Sequence, residues 1–228
     1  MTTIERLRGG LIVSCQAYPG EPMRHSETMA QIAASAAGGG ATGIRAQGID
    51  DIRLVRERTG LQLPLIGLWK DGSDDVFITP TLRHAIAVAE AGADIVALDG
   101  TRRERPDGLS LAETIARLRD AANALVMADC GSVDDGLAAA DAGADVVGTT
   151  LCGYTGERPR RHGPDLEVLA ELSSRLEVPV IAEGRIHSFQ DAVACCDAGA
   201  FAVCVGTAIT HPASITRWFA EALSEVNR

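Results

Sequence analysis

The stretch Gly92-Ala-Asp-Ile-Val-Ala-Leu-Asp99 decides the fold, because a helix-ending glycine is followed at once by an apolar, β-branched run. A glycine after a helical segment commonly ends the helix, and a run of this kind predicts a buried strand. The same pattern recurs three times, at intervals of 51 to 56 residues, in Gly40-Ala-Thr-Gly-Ile44, Gly143-Ala-Asp-Val-Val147 and Gly199-Ala-Phe-Ala-Val203. Self-similarity at a nearly fixed interval indicates a repeated supersecondary unit.

Further apolar runs lie between these repeats and bring the number of candidate strands to eight. They are short, rich in Val, Ile and Leu, and show little alternation of polar and apolar residues, which is typical of parallel strands buried on both faces. The candidates are Gly10–Gln16, Gly43–Gln47, Leu63–Trp69, Ala93–Asp99, Ala124–Cys130, Ala144–Thr150, Val178–Gly184 and Ala200–Gly206.

Segments with helical periodicity separate the candidate strands, as in His84–Ala91 and Leu166–Leu172. Eight strands that alternate with helices predict an α/β fold, a (β/α)8 TIM barrel, with a single domain over residues 1–228. A doubly wound open sheet is the alternative, but the repetition of paired units favours closure. No linker or low-complexity segment divides the chain.

Composition narrows the class of protein. The 228 residues include 31 acidic and 21 basic side chains, for a formal charge of −10, which argues against a nucleic-acid partner. No apolar run approaches the roughly 20 residues of a membrane span, and the first residues do not resemble a signal peptide. The six cysteines lack metal-ligand spacing and lie mostly in apolar runs, which predicts buried thiols. We therefore expect a cytoplasmic protein without nucleic-acid, membrane or metal partners.

Polar groups follow nearly every candidate strand, at the end of a barrel where active sites are found. One such residue is easily explained as a solvated loop residue, but a set that converges on one rim indicates an active site. The polar residues that follow the candidate strands include Gln16, Arg45, Lys70, Asp129, Glu183, Arg185 and Thr207.

A phosphate site is predicted by the loops after the last two strands. Gly184-Arg185 and Gly206-Thr207 place small residues where backbone N–H groups can approach an anion, and a following helix N-terminus favours negative charge. The alternative is that the two glycines only permit tight turns.

Lys70 follows the apolar run Leu65–Trp69 and is expected at the mouth of the barrel. Partial desolvation there would lower the pKa of its amine and make it a base or a Schiff-base nucleophile, whereas the alternative is a surface lysine. Glu183 and Asp129 each follow an apolar run in the same way. An amine, a carboxylate and a phosphate site on one rim favour proton abstraction beside the carbonyl of a phosphorylated sugar.

Three longer blocks make the chain resemble one family, the N-acetylmannosamine-6-phosphate 2-epimerases of sialic-acid catabolism. These blocks are Leu68-Trp-Lys70, Gly148-Thr-Thr-Leu-Cys-Gly-Tyr-Thr155 and Ala182-Glu-Gly-Arg-Ile186, and the resemblance runs from about Gly9 to the last helix. Pieces such as Ala-Gly-Ala-Asp are generic to phosphate-binding barrels and carry less weight.

The resemblance implies an isomerase that interconverts N-acetylmannosamine 6-phosphate and N-acetylglucosamine 6-phosphate without a metal or an organic cofactor. Lys70 would remove and return the proton at C2, and Glu183 would assist ring opening and closing. The sugar and its N-acetyl arm would be held by Gln16, Arg45 and Asp129, and the phosphate by Gly184, Arg185, Gly206 and Thr207. Whether one base or two serve the two faces of C2 stays open.

Two positions depart from the family pattern. His211 stands before Pro212 where the family usually has an arginine, and a histidine is shorter and fully charged only when protonated. We therefore expect phosphate binding that is weaker or more dependent on pH. The chain also continues from the lysine as Lys70-Asp-Gly, where family members often read Lys-Arg-Asp, so this loop and the substrate preference are expected to differ.

Two alternative functions remain at this point. The first is a lyase or aldolase that uses Lys70 covalently, and the second is a non-catalytic sugar-phosphate sensor, which the presence of Lys70, Glu183 and Asp129 disfavours.

The last helix carries an apolar stripe at helical spacing. The resemblance implies a homodimer through this helix, whereas the simpler alternative is that it packs on its own barrel. The stripe consists of Ile215, Trp218, Phe219, Ala222, Leu223 and Val226.

Overall fold

Eight parallel strands form a closed barrel in the computed structural model, which describes residues 1–18, 20–59, 62–72 and 75–226. Each strand pairs with its neighbours in chain order, and the eighth strand closes on the first. The (β/α)8 prediction is therefore confirmed, and the open sheet is excluded. The strands are β1 Leu11–Cys15, β2 Gly43–Gln47, β3 Leu65–Leu68, β4 Ile95–Asp99, β5 Leu125–Asp129, β6 Val146–Gly148, β7 Val180–Glu183 and β8 Ala202–Val205.

Helices follow the strands on the outside of the barrel. Side-chain caps at Ser110, Ser132, Asp165 and Ser188 fix the starts of four of them by accepting hydrogen bonds from backbone N–H groups. The helices are α1 Ser26–Gly38, α2 Ile49–Thr59, α3 Leu82–Glu90, α4 Leu111–Ala122, α5 Val133–Asp141, α6 Leu166–Arg175, α7 Phe189–Asp197, α8 Thr207–Thr210 and α9 Pro212–Val226. The two helical segments predicted from periodicity correspond to α3 and α6.

The four repeated glycines each adopt a left-handed backbone conformation just before a strand. Their φ angles are +97° at Gly40, +108° at Gly92, +98° at Gly143 and +95° at Gly199. Residues with a Cβ rarely adopt such angles, so glycine at these points lets the chain leave the helix and enter the next strand.

Successive residues of each strand point alternately into the barrel and toward the helices. Inward-facing Ile12, Ile66, Ile95, Met127 and Ile181 belong to one buried cluster inside the barrel. Leu7, from a short 3-10 helix that precedes β1, is fully buried in the same cluster. At the C-terminal end of the barrel this cluster borders a cavity, which Ile78, Leu151 and Cys204 also line.

All six cysteines are free thiols, and five of them are buried as predicted, whereas Cys196 is exposed. In the part of the chain that the structure describes, no helix is long and apolar enough to cross a membrane. The extent of a single domain over residues 1–228 stays a prediction.

The last helix, α9, lies at the surface. None of its described side chains from Pro212 to Glu225 is fully buried, and Phe219 is 69% exposed. Trp218 contacts His187, with 4.5 Å between the ring centroids. The side chain of Val226, which completes the predicted stripe, is outside the described part.

Candidate active site

A cavity of about 400 Å³ opens at the C-terminal end of the barrel, where the rim residues were expected. It brings together most of the site residues predicted from the sequence, namely Gln16, Arg45, Lys70, Glu183, Gly184, Gly206, Thr207 and His211. Their convergence follows from the parallel barrel, because the carboxyl ends of all eight strands meet at one rim.

Arg45 forms the charged floor of the cavity. Its Nη2 atom lies 2.6 Å from Asp129 Oδ2, and its Nη1 atom lies 3.1 Å from Asp129 Oδ1 and 3.0 Å from Glu183 Oε2. The Thr150 hydroxyl also donates to Asp129 Oδ1, at 2.7 Å. One buried guanidinium is thus balanced by two carboxylates from β5 and β7.

Asp129 itself does not line the cavity. Its side chain is fully buried behind Arg45, although the sequence predicted it as a contact of the sugar. The direct contact stays a prediction, while the geometry gives Asp129 a clear part in holding Arg45.

Glu183 ends β7 with its carboxylate facing the cavity. The strand end is fixed because the Thr149 hydroxyl accepts from the Glu183 N–H at 3.0 Å and donates to the Glu183 carbonyl at 2.9 Å. Burial raises the pKa of the Glu183 carboxyl, and the nearby Asp129 charge acts in the same direction, while Arg45 opposes the rise. A carboxyl group with a raised pKa keeps its proton to higher pH than an exposed one, which suits a group that donates a proton as well as accepting it.

Lys70 lies two residues after the end of β3. Its backbone N–H donates to Gln47 Oε1 at 3.2 Å, and the residue pairs with Ile78 in an isolated antiparallel bridge. Its Nζ atom lies 5.3 Å from the centre of the Tyr18 ring. Burial, assisted by the positive charge of Arg45, lowers the pKa of the Lys70 amine from 10.5 to about 8. The desolvation expected from the sequence is therefore present.

Lys70 is also the only lysine among the 228 residues, against 20 arginines, and this count by itself marks it in the sequence. A guanidinium cannot be deprotonated in a protein, whereas an amine can. Every other strongly basic side chain is an arginine, so Lys70 is the strongly basic side chain that can lose its proton.

The two predicted phosphate loops follow the adjacent strands β7 and β8, and Gly184, Gly206 and Thr207 line the cavity. Gly184 has a φ angle of +111° and Arg185 one of +55°, so the chain turns sharply after β7. Within the described ranges, no backbone carbonyl or side chain accepts from the N–H groups of Gly184, Arg185, Gly206 and Thr207. Unpaired N–H groups at a cavity are suited to binding an anion.

The side chain of Arg185 turns away from the cavity. Its guanidinium donates to the carbonyls of Gly163 at 2.9 Å and Cys152 at 2.7 Å, and it lies 5.3 Å from the centre of the Tyr154 ring. These contacts tie together the long segment between β6 and α6. A contact between Arg185 and phosphate stays a prediction.

Several cavity residues were not predicted. Tyr18 follows Gln16 by two residues, and Cys204 points inward because it alternates with its neighbours in β8, so strand periodicity could have found it. Phe77 and Ile78 reach the cavity only because the chain after Lys70 folds back on β3, and no local pattern indicates this.

No group of three or more His, Cys, Asp or Glu side chains is arranged to hold a metal ion in the residues that the structure describes. The groups that face the cavity are instead an amine, a carboxyl, a guanidinium and backbone N–H groups.

Comparison with known proteins adds the family. A family profile described as "Putative N-acetylmannosamine-6-phosphate epimerase" matches residues 29–225, most of the chain. The chain belongs to this epimerase family. A relative from Cutibacterium acnes, which carries the 2-epimerase form of that name, is 63% identical over 222 residues, 96% of each chain. One from Caldanaerobacter subterraneus is 43% identical over 228 residues, covering 99% of this chain and 95% of the relative.

A solved structure of an epimerase of this family, the N-acetylmannosamine-6-phosphate 2-epimerase from Clostridium perfringens, has the same fold. It is 37% identical, superposes with a TM-score of 0.92, and the match covers 97% of this chain and 96% of that one. The resemblance stated from the sequence blocks is therefore confirmed.

In this epimerase barrel, His211 directly follows α8 and lies beside Tyr18 and Glu21. Its ring lies 5.3 Å from the ring of Tyr18, and its Nδ1 atom lies 3.8 Å from Glu21 Oε1. Glu21 also accepts from the Tyr18 N–H at 2.7 Å, so these three residues support one another at the cavity edge.

Proposed function

We propose that the protein is an isomerase that interconverts N-acetylmannosamine 6-phosphate and N-acetylglucosamine 6-phosphate by removing and returning the proton at C2. The observation that carries this proposal is that the Lys70 amine and the Glu183 carboxyl face the same cavity as the unpaired N–H groups after β7 and β8. Membership of the epimerase family supports the same reaction.

The chemistry begins with the open-chain sugar, whose aldehyde acidifies the C2–H bond. In the proposed roles, Glu183 transfers the proton that opens and closes the ring, and the neutral Lys70 amine removes the C2 proton. The enolate that forms is negatively charged, and the Arg45 guanidinium supplies a fixed positive charge beside it. Reprotonation on the opposite face gives the epimer, by the same amine or by a second group. The proposal needs no metal or organic cofactor.

The phosphate group is proposed to bind between Gly184-Arg185 and Gly206-Thr207 through backbone N–H groups. His211 lines the same cavity and adds positive charge when it is protonated. Gln16 and Arg45 are proposed to contact the sugar and its N-acetyl arm, while Asp129 acts through Arg45.

A covalent lyase or aldolase is the competing use of Lys70. Borohydride reduction in the presence of the substrate distinguishes the two, because a Schiff base at the only lysine would be trapped as a stable adduct. Absence of an adduct supports the epimerase, and the family supports neither the lyase nor the sensor.

Proton NMR of N-acetylmannosamine 6-phosphate with the protein in D₂O tests the proposed reaction. We expect the C2 proton signal to disappear as the gluco epimer accumulates. An unchanged C2 signal over an incubation with excess protein would refute the proposal.

We further propose a cytoplasmic role in sialic-acid catabolism and a homodimer that forms through α9. The dimer is supported by the exposed apolar side chain of Phe219 beside half-buried Ile215 and Trp218 on that helix. Covering apolar area of this kind favours association.

A further inference from the structure

His84 is a buried histidine that lies outside the cavity and contacts the residues on both sides of Lys70. It belongs to the first turn of α3, and only 4% of its side chain is exposed. Its ring meets the Trp69 ring edge to face, with 4.6 Å between centroids, and its Nε2 atom lies 3.0 Å from Asp71 Oδ2.

The contacts of the ring determine where its proton lies. A carboxylate only accepts hydrogen bonds, so Nε2 carries a proton and donates to Asp71. The Thr81 hydroxyl lies 2.6 Å from Nδ1. It donates to Nδ1 when that nitrogen carries no proton and accepts from it when it does. Arg83 Nη2 lies 3.3 Å from Nε2 but cannot donate to a nitrogen that already holds a proton. Both ring nitrogens are thus occupied, and the orientation of the ring is fixed.

The backbone around Lys70 is held on its other side by the chain that folds back. The Thr79 N–H donates to the Trp69 carbonyl at 2.8 Å, and the Asp71 N–H donates to the Phe77 carbonyl at 3.0 Å. These bonds fix the backbone path but not the Trp69 ring or the Asp71 side chain, and Arg83 of α3 lies 5.7 Å from the centre of the Trp69 ring. His84 is the group that restrains both side chains from the helix.

We propose that His84 is a positioning residue for Lys70, which holds the lysine over the cavity by restraining Trp69 and Asp71. This role rests on the proposed function, in which the Lys70 amine acts on C2. The proposal also accounts for one departure from the family pattern. Family members often have an arginine after the lysine, whereas here Asp71 follows Lys70 and accepts a hydrogen bond from His84. A misplacement of about 1 Å in a catalytic group is enough to cost about 100-fold in rate.

Three variants separate the two contacts. His84→Phe keeps an aromatic edge against Trp69 and loses the donor to Asp71, whereas His84→Gln keeps a side-chain donor and loses the ring. Asp71→Ala removes only the acceptor, which lies on a side chain 54% exposed, so the fold is expected to be retained. His162→Ala, at an exposed histidine, serves as the matched control.

Kinetics distinguish positioning from simple destabilisation. We expect Asp71→Ala and His84→Phe to lower kcat about 10- to 100-fold with KM changed less than about twofold, because the phosphate loops are untouched. We also expect the midpoint of the alkaline rise in kcat/KM to move to higher pH, since a less restrained Lys70 is better solvated. His84→Gln should recover part of kcat, and the control should match the parent protein.

Labelling with acetic anhydride as a function of pH measures the reactivity of the Lys70 amine without any turnover. Because Lys70 is the only lysine of the chain, peptide mapping separates its label from that of the N-terminal amine. Unchanged kinetics and an unchanged labelling midpoint in both Asp71→Ala and His84→Phe would overturn the proposal. A kcat that falls only as the folded fraction falls would overturn it as well. If the parent protein exchanges no C2 proton, the proposed function fails, and a shifted labelling midpoint still supports the role of His84.

Discussion

The Arg45 guanidinium lies 2.6 Å from the Asp129 carboxylate, with both side chains almost completely buried below the cavity. Because Glu183 Oε2 lies 3.0 Å from the same guanidinium, the arginine links a buried carboxylate to a cavity-facing one. The group proposed to move protons during ring opening is therefore held by the same guanidinium that Asp129 orients.

Removing the Asp129 carboxylate is expected to destabilise the protein strongly. In Asp129→Ala, Arg45 keeps only Glu183 as a counter-charge, and breaking a buried ion pair typically costs about 3–5 kcal/mol. Urea unfolding followed by circular dichroism measures the change in free energy. Asp50→Ala is the control, because its side chain is 86% exposed and 4.0 Å from Arg53, so the free energy should hardly change. Equal destabilisation by both substitutions would contradict the prediction.

Replacing Lys70 is expected to abolish C2 exchange without unfolding the protein. Lys70→Ala removes the proposed base, and Lys70→Arg retains a positive charge that cannot be deprotonated. Loss of general base catalysis alone corresponds to about 10²–10⁴-fold in rate. Deuterium incorporation at C2 measures the reaction, and circular dichroism checks the fold. Substantial exchange in the arginine variant would show that the amine is not the base.

The rate is expected to rise with pH up to about 8. The Lys70 amine must be neutral to accept the C2 proton, and its pKa is lowered to about 8 by burial and by Arg45. Below that pH the protonated amine predominates, so kcat/KM should fall about tenfold per pH unit. Initial rates between pH 6 and 9 at constant ionic strength test this. A kcat/KM independent of pH between 6 and 8 would argue against Lys70 as the titrating base.

Restoring the family arginine at His211 is expected to tighten binding of the phosphorylated sugar. His211→Arg places a permanent charge at the cavity edge, and a charge-assisted hydrogen bond is worth about 1.5–3 kcal/mol. We therefore expect KM to fall about tenfold. His187→Arg adds the same charge at a histidine that contacts Trp218 instead of the cavity. An identical decrease in KM in both variants would point to overall charge.

The proposed dimer is expected to depend on the apolar stripe of α9. Phe219→Asp puts a charge at a phenylalanine that is 69% exposed in one chain. Sedimentation velocity at micromolar concentration should show a dimer for the parent protein and a monomer for the variant. Glu221→Ala, on the same helix but off the stripe, should remain dimeric. A parent protein that sediments only as a monomer would refute the dimer.

The sequence was most informative at the two ends of the buried strands, where neighbouring residues determine the backbone conformation. Gly92 and its three counterparts predicted the barrel, because only glycine readily leaves a helix with a φ angle near +100° and feeds a strand buried on both faces. Lys70 and Glu183 were predicted for the same kind of reason, since each places a charged group directly after an apolar strand.

The sequence was less informative about which way a side chain turns at the rim. Arg185 stands in a predicted phosphate loop, yet its guanidinium binds the carbonyls of Gly163 and Cys152. Those acceptors lie 22 and 33 residues away along the chain, so no local pattern indicates them.

By itself, the sequence determined the order of strands and helices, the end of the barrel that carries the polar groups, and the family. Only the tertiary structure decided that Arg45 lies between Asp129 and Glu183, and that His84 reaches both neighbours of Lys70. The physical reason is that helix ends and strand burial depend on neighbouring residues, whereas these charge contacts exist only after barrel closure brings β2, β5 and β7 together.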